Sequence, residues 1–418
     1  MLMVSSAHTA GEVDHGGAYL TALTDWLACA SAGAGERAPR AVRASGDDLL
    51  ADVASAATAG HVLDFDDTFS AGVVHVSAAT APAALVLAAH LGLPLRAALD
   101  AYAEGFEAMA AVAAASHPGL YDAGWHPTTV CGPIGAAVAA SRLLDLPAPQ
   151  RESALALALL RTGGTRGAFG SDGKAIQVGL AAAAGGQAAL LARAGATVDS
   201  RAIHGPLGFE GVLGARWPQL GAGGLIPGDS LRAIDGNWIK MHPSCLGTHS
   251  PIDAAAQLRE RGYQLGDHRL GVVVHPLARQ AAHLDMVTDG TSAKFSIPYC
   301  VAHTLMHGPP RVRDFASIDL ATRDGSERVS VVLDGSLPEF GAVLVVGEHE
   351  LARVRCPRGA PDRPVAADEL AAKVADLAGD RLHGVLDDLR APAATALHAA
   401  GHGCPRLRSS VHLPSRAV

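Results

Sequence analysis

Methyl groups dominate the apolar content of this chain. Hydrophobic residues make up 49% of the 418, yet aromatics contribute only 4%. Much of the apolar fraction is alanine, in runs such as Ala54–Gly60 (ASAATAG), Ala78–Ala84 (AATAPAA) and Ala108–Ala115 (AMAAVAAA). Alanine has the best helix propensity and lets helix axes approach closely. Such an interior predicts tightly packed helices and supplies ample material for a buried core. Helical spacing is read over Tyr19–Ala32, Asp47–His61, Ala79–Leu91, Leu95–Ala115, Gly132–Leu144, Ser153–Arg161 and Ala175–Arg193.

The pattern changes near residue 265. Arg269–Val274, Glu327–Leu333 and Ala342–His349 are short and β-branched, as strands are, with a helix over Tyr299–His307 between them. Helical periodicity returns from Ala366 to Ala399. The fold class expected is a mainly α helical domain built from both chain ends, with an inserted smaller α+β lid domain. The divisions expected are 1–238 and 376–418 for the helical domain and 239–375 for the lid.

Charge and composition narrow the function. The formal net charge is −8, from 33 basic and 41 acidic residues, with no long basic run, so neither nucleic acid nor a membrane is an expected partner. An anionic substrate would need a local pocket of Lys, Arg and His. Cys29, Cys131, Cys245, Cys300, Cys356 and Cys404 form no CxxC pair, which reads as reduced thiols. No signal peptide or strictly apolar 18-residue run is read, so a cytoplasmic location is expected.

Five polar segments could carry chemistry. His61-Val-Leu-Asp64-Phe-Asp66-Asp67-Thr68 is followed by His75; on a helix, Asp64 and Thr68 would share a face. Such a string fits a solvated helix end, and histidines beside carboxylates also fit a metal site. Gly124-Trp-His126-Pro-Thr-Thr129 places an imidazole at a rigid turn, though capping and core histidines look alike there. The glycine-rich loop Gly163–Lys174 fails as a phosphate loop, because Ala168 and Ala175 stand where the pattern needs Gly and Ser/Thr. Lys174 is read instead as a lone ammonium on a flexible loop. Lys240-Met-His242-Pro-Ser-Cys245-Leu-Gly-Thr-His249 lies at the junction with the lid, and Ala293-Lys294-Phe-Ser-Ile-Pro-Tyr299-Cys300 opens a lid helix.

In this order and spacing, the strings HVLDFDDT, GWHPTTVCGPIGAA, KMHPSCLGTH and AKFSIPYCVA resemble the MmgE/PrpD family. The resemblance runs from about Tyr19 to the C-terminal helices. It implies a helical domain with an inserted lid, a homodimer, no metal or organic cofactor, and a small-molecule carboxylate substrate such as 2-methylcitrate or cis-aconitate. It maps the active site onto Asp64, Thr68, His75, His126, Lys174, Lys240 and Tyr299, with His249 beside them. Removing a proton alpha to a carboxylate needs a placed base and cations on the developing enediolate. His126 and His75 are then the acid/base pair, Lys174, Lys240, Thr68 and His249 bind substrate, and Asp64 and Tyr299 support catalysis. The reaction expected is dehydration or decarboxylation.

The sequence departs from the family pattern ahead of Tyr19, where it is short. It departs again in a loop before His75 about one residue longer, and at Val76, where proline is common. Cys245 replaces a histidine. With a lowered pKa, its thiol would be a second base and would suit epimerisation of a succinate-like acid. A metal-dependent hydrolase at Asp64–Asp67 is the alternative of another class.

Overall fold

A computed structural model describes residues 17–218, 232–266 and 268–390. The first half is helical: α1 (Ala18–Gly33), α2 (Arg37–Ala44), α3 (Leu49–His61), α4 (Val76–Leu91), α5 (Leu95–Ser116), α6 (Gly119–Asp122), α7 (Pro127–Leu143), α8 (Ala148–Leu159), α9 (Asp172–Arg193) and α10 (Phe209–Leu213). A two-residue strand β1 (Thr68–Phe69) pairs antiparallel with β2 (Asn237–Trp238). The second half adds α11 (His249–Glu260), β3 (Leu270–Val274), α12 (Pro276–Ala281), α13 (Gly290–Ala293), α14 (Ile297–His307) and α15 (Leu320–Ser326). It continues through β4 (Val329–Leu333), β5 (Ala342–Val346), β6 (His349–Val354), α16 (Ala367–Ala378) and α17 (His383–Arg390). The chain is therefore mainly helical with small sheets. The helical reading over 391–399 lies outside the described residues.

The alanine runs do what their size predicts. α7 packs against α4, α5, α8 and α9, and every residue from Pro127 to Ala137 is buried. Some helix pairs approach so closely that even a methyl would not fit. A Cβ at Gly179 of α9 would lie 2.2 Å from Thr58 Oγ1 and 2.4 Å from the Ala54 carbonyl of α3. Gly179→Ala is therefore expected to destabilise the fold by about 1–3 kcal/mol through overpacking. The check is a lower urea midpoint at unchanged m-value. Among the described residues one helix, α9, is long and apolar enough to cross a membrane, and most of that stretch is buried within the protein.

Two main clusters of apolar side chains form. The larger gathers α1, α3, α4, α5 and α7 and also takes Leu377 from α16, Val385 and Leu389 from α17, and Leu382 from the turn between them. The second joins the faces of α11 and α14 to a four-stranded sheet of order β4-β3-β5-β6. β3 pairs parallel with β4, a geometry that needs a crossover, here α12 to α15; β5 and β6 complete an antiparallel meander. The sequence reading missed β6 as a separate strand, since only Ala352 and Val354 of it are buried.

Candidate active site

The acidic string is not on a helix, so Asp64 and Thr68 do not share a helical face. α3 ends at His61 and the chain turns through Asp64, whose φ of 52° lies in the left-handed region that a short polar side chain tolerates. Nor is the string solvated: Asp64 is 3% exposed, and Asp66 and Asp67 are fully buried. The β1–β2 pairing then brings this turn beside Lys240. The longer loop closes tightly, with Phe69 N–H donating to the Val74 carbonyl at 2.7 Å and Val74 N–H returning to Phe69 at 3.2 Å. Thr68 Oγ1 donates to the same Val74 carbonyl at 3.2 Å, so its hydroxyl fixes the loop that carries His75. Val73 in this loop holds φ 51°, costly for a β-branched residue; such strain concentrates at functional sites.

Two ammonium groups converge on one carboxylate oxygen. Asp64 Oδ1 accepts from Lys240 Nζ at 2.6 Å and pairs with Lys174 Nζ at 3.0 Å, while Lys240 also donates to the Asp64 carbonyl at 2.5 Å. Burial alone would raise the Asp64 pKa, but Lys174, Lys240, His75 and His61 together hold it well below the carboxylate range. Asp64 is thus a fixed anion and a weak base. Lys174 is not on a loop: it sits in the first turn of α9, with Nζ 5.4 Å from the Phe169 ring and 5.3 Å from Phe295. A third lysine, Lys294, donates to the carbonyls of Val62 and Leu63 at 3.3 and 3.1 Å, and burial pushes it down to about 8.

Three imidazoles line the same region. His61 and His75 rings lie 4.6 Å apart, and His126 stacks 6.2 Å from His61. His75 Nδ1 donates to the Asp67 carbonyl at 2.9 Å; a carbonyl only accepts, so in neutral His75 the lone pair is on Nε2, 4.0 Å from Asp64 Oδ1. His61 Nδ1 faces the Asp66 carboxylate at 2.9 Å, leaving its buried Nε2 without a hydrogen bond. Asp64 Oδ2 and His249 Nδ1 are buried and unpartnered too. Orphaned polar atoms are rare in native interiors, and His61 Nε2 and Asp64 Oδ2 stand beside the two lysines.

Buried neutral imidazoles make the fold acid-sensitive. Burial lowers His61 to about 4, and pushes His126 and His249 well below their usual value. The unfolded chain, with histidines near about 6.5, binds those protons first. The stability these groups contribute is complete above that value and is lost as pH falls toward the folded one. For His61 the loss is on the order of 2 kcal/mol at pH 5. Asp67 opposes this, because burial with Asp25 and Asp66 nearby raises its pKa well above normal. His61→Gln isolates the histidine contribution: its Tm should drop less than that of the parent between pH 7 and 5.

Of the residues chosen from sequence, the structure gathers Asp64, His75, His126, Lys174 and Lys240, and places Cys245 beside them. The expected lowered thiol is corrected: burial, with Asp64 adding, pushes Cys245 up to about 11 despite Lys174 and Lys240. His249 donates Nε2–H to the Ser244 carbonyl at 3.1 Å and packs 5.0 Å from His242. Tyr299 lies elsewhere. Its hydroxyl accepts from Asp319 N–H at 3.1 Å and its ring packs with Ile252, Val287 and Phe315. Lys294, from the same string, reaches the site instead. His61, Asp66 and Lys294 were in the quoted strings but not chosen; Gln177, one helical turn after Lys174, was missed entirely.

Among the described residues one group could hold a metal ion, His61, Asp66 and His75, with ligand atoms within 4.8 Å of one another. A cation there would displace the His61–Asp66 hydrogen bond and face the two ammonium groups on Asp64. Two surface cavities, of about 680 and 610 Å³, are lined by other residues, among them His303, Arg311 and Asp319 in one and Asp285, Arg323 and Val331 in the other. We place the site at the buried cluster, where perturbed titratable groups and orphaned atoms coincide.

Comparison with known proteins finds relatives and a family. The chain is 28% identical to human (Homo sapiens) cis-aconitate decarboxylase over 268 residues, 61% of this chain and 55% of that protein. It is 28% identical to the mouse (Mus musculus) cis-aconitate decarboxylase over 277 residues, 62% of this chain and 54% of that one. The match thus spans about half the length of these curated relatives. Residues 18–218 match the MmgE/PrpD N-terminal domain and residues 242–396 the MmgE/PrpD C-terminal domain. With matches covering most of its length, this chain belongs to the MmgE/PrpD family.

Proposed function

We propose that this protein is a lyase of the dehydratase or decarboxylase type, acting on a small di- or tricarboxylate such as 2-methylcitrate or cis-aconitate. The observation that carries the reading is the convergence of Lys174 and Lys240 on Asp64 beside the imidazoles of His61, His75 and His126, with His61 Nε2 buried and without a hydrogen-bond partner. A substrate carboxylate arriving here meets ammonium groups already oriented by a fixed anion. Charge building on an enediolate is then spread over those cations. Neutral His75, with its lone pair on Nε2, is the base that takes or returns the proton at the α-carbon. In dehydration, that proton leaves as the β-hydroxyl departs with a proton from a neighbouring acid. In decarboxylation, the bond to carbon dioxide breaks, its electron pair enters the enediolate, and the carbon takes a proton from His75, which has to enter that reaction as the imidazolium and leaves it neutral.

Epimerisation through Cys245 has less support, because a thiol near 11 stays protonated at neutral pH. The hydrolase reading moves from Asp64–Asp67 to the His61, Asp66 and His75 group and predicts loss of activity in chelator. We further propose that the β3–β6 unit works as the lid, since the site is closed between the two clusters. The proposed division between 375 and 376 lies within α16. A homodimer and a cytoplasmic location remain part of the proposal.

The test is a panel of di- and tricarboxylates followed by NMR. Carbon dioxide release or a new alkene, retained in chelator, supports the lyase; epimerisation alone, or turnover abolished by chelator, sinks it.

A further inference from the structure

The geometry points to Gln177 as a positioning residue that locks His126 in the Nε2–H tautomer, so that His126 serves as the proton donor opposite the His75 base. This rests on the proton-transfer reading above for its catalytic consequence, but not for the tautomer itself.

The argument starts from a pair of backbone groups whose roles are not negotiable. Thr165 N–H donates to Gln177 Oε1 at 3.1 Å, and the Thr165 carbonyl accepts from Gln177 Nε2 at 3.2 Å. A backbone N–H only donates and a carbonyl only accepts, so Thr165 settles which end of the amide is nitrogen. That nitrogen lies 2.7 Å from His126 Nδ1. An amide nitrogen has no lone pair to offer, so Nδ1 must accept, and the proton of the neutral ring is on Nε2. Among the described residues, Nε2 has no hydrogen-bond partner of its own. Burial, reinforced by Lys174, His61 and His75, keeps the ring neutral.

The frame around this contact is rigid. Trp125 and Thr165 form an antiparallel bridge, His126 N–H donates to the Gly164 carbonyl at 3.0 Å, and Arg166 N–H donates to Gly124 at 3.0 Å. Gly164 sits at φ +97°, where an added Cβ would meet Thr129 Oγ1 at 2.4 Å. The glycine-rich stretch that failed as a phosphate loop thus does a different job: it presents Thr165 to Gln177. His75 is wired in the opposite sense, with Nδ1–H on the Asp67 carbonyl and a lone pair on Nε2. One imidazole is set to donate and its neighbour to accept.

The test uses full-length protein with ¹⁵N-labelled histidine and long-range ¹H–¹⁵N spectra. His126 should show a protonated Nε2 and an unprotonated Nδ1. In Gln177→Glu the new carboxylate can only accept, so Nδ1 should become protonated. On whichever carboxylate the parent turns over, kcat should fall at least about 100-fold, the size of a general-acid contribution, with KM changed less than about threefold. Gln177→Met, which offers neither donor nor acceptor, should give a mixed tautomer and an intermediate kcat; it serves if the glutamate variant fails to fold. A protonated Nδ1 in the parent, an unchanged tautomer in both variants, or a changed tautomer at unaltered kcat overturns the inference. If no carboxylate is turned over, the function reading fails, while the spectra still decide the tautomer lock.

Discussion

Asp64→Asn should cost this protein both its chemistry and much of its stability. The substitution keeps the shape and removes the charge on which Lys174 and Lys240 converge, at 3.0 and 2.6 Å. Two ammonium groups, 7% and 1% exposed, then face each other without a counterion. Removing one partner of a buried pair typically costs about 3–5 kcal/mol. Misplacing the cations that hold a developing enediolate should lower kcat/KM by at least about 100-fold. Urea unfolding and steady-state kinetics on the same preparation read both effects. A variant with parental stability and activity would mean the lysines are balanced by something other than Asp64.

Lys373→Met should be nearly as damaging, from a position in a helix more than a hundred residues away in sequence. Lys373 Nζ donates to the carbonyls of Phe65 and Lys240, both at 2.8 Å, lies 2.5 Å from the buried Asp25 carboxylate, and sits 3.8 Å from the centre of the Phe65 ring. It therefore holds the backbone on either side of the Asp64–Lys240 pair while tying α16 to α1. The single variant strands Asp25 in the core, with an expected loss of about 3–5 kcal/mol. Adding Asp25→Leu removes the stranded charge, and the double variant should regain most of that stability, a coupling visible in a double-mutant cycle. Its kcat should stay low, because neither leucine nor methionine restores the two carbonyl contacts. Equal losses in the single and double variants would show that the pair is not coupled.

How much of this could be read beforehand depends on the range of the interaction. The helices were legible because each alanine run carries its own local propensity, and the β-branched strands likewise. Asp64, His126 and Lys240 are carried by the ordered strings, and His75 and Lys174 by neighbouring polar segments that the family resemblance singles out, none of them by a derivable contact. What failed was geometry beyond one turn. Nothing local says that α3 stops at His61, because that depends on the left-handed Asp64 and on β1 pairing with β2, where Thr68 meets Trp238 from 170 positions later. Nor does spacing say that Lys294, in the turn between α13 and α14, reaches the site while Tyr299 of α14 packs with Ile252, Val287 and Phe315. Lys373 and Asp25 left a usable signal. Lys373 stands between Leu370 and Leu377 on an apolar stripe, and Asp25 is an acid inside the apolar run Leu23–Ala30. Lone opposite charges on two otherwise apolar helix faces suggest each other. The Gln177 contact left none, since it requires Thr165 and His126 from two separate turns.

The central claim is proton transfer at an α-carbon by His75, under the field of Lys174 and Lys240. It is tested most directly by running the reaction in deuterated water with the parent and with His75→Gln, and reading the α-carbon by NMR. The account predicts deuterium at that carbon with the parent and at least about 100-fold slower incorporation in the variant. Turnover by the parent with no deuterium at the α-carbon, or labelling at the parental rate in His75→Gln, would contradict it.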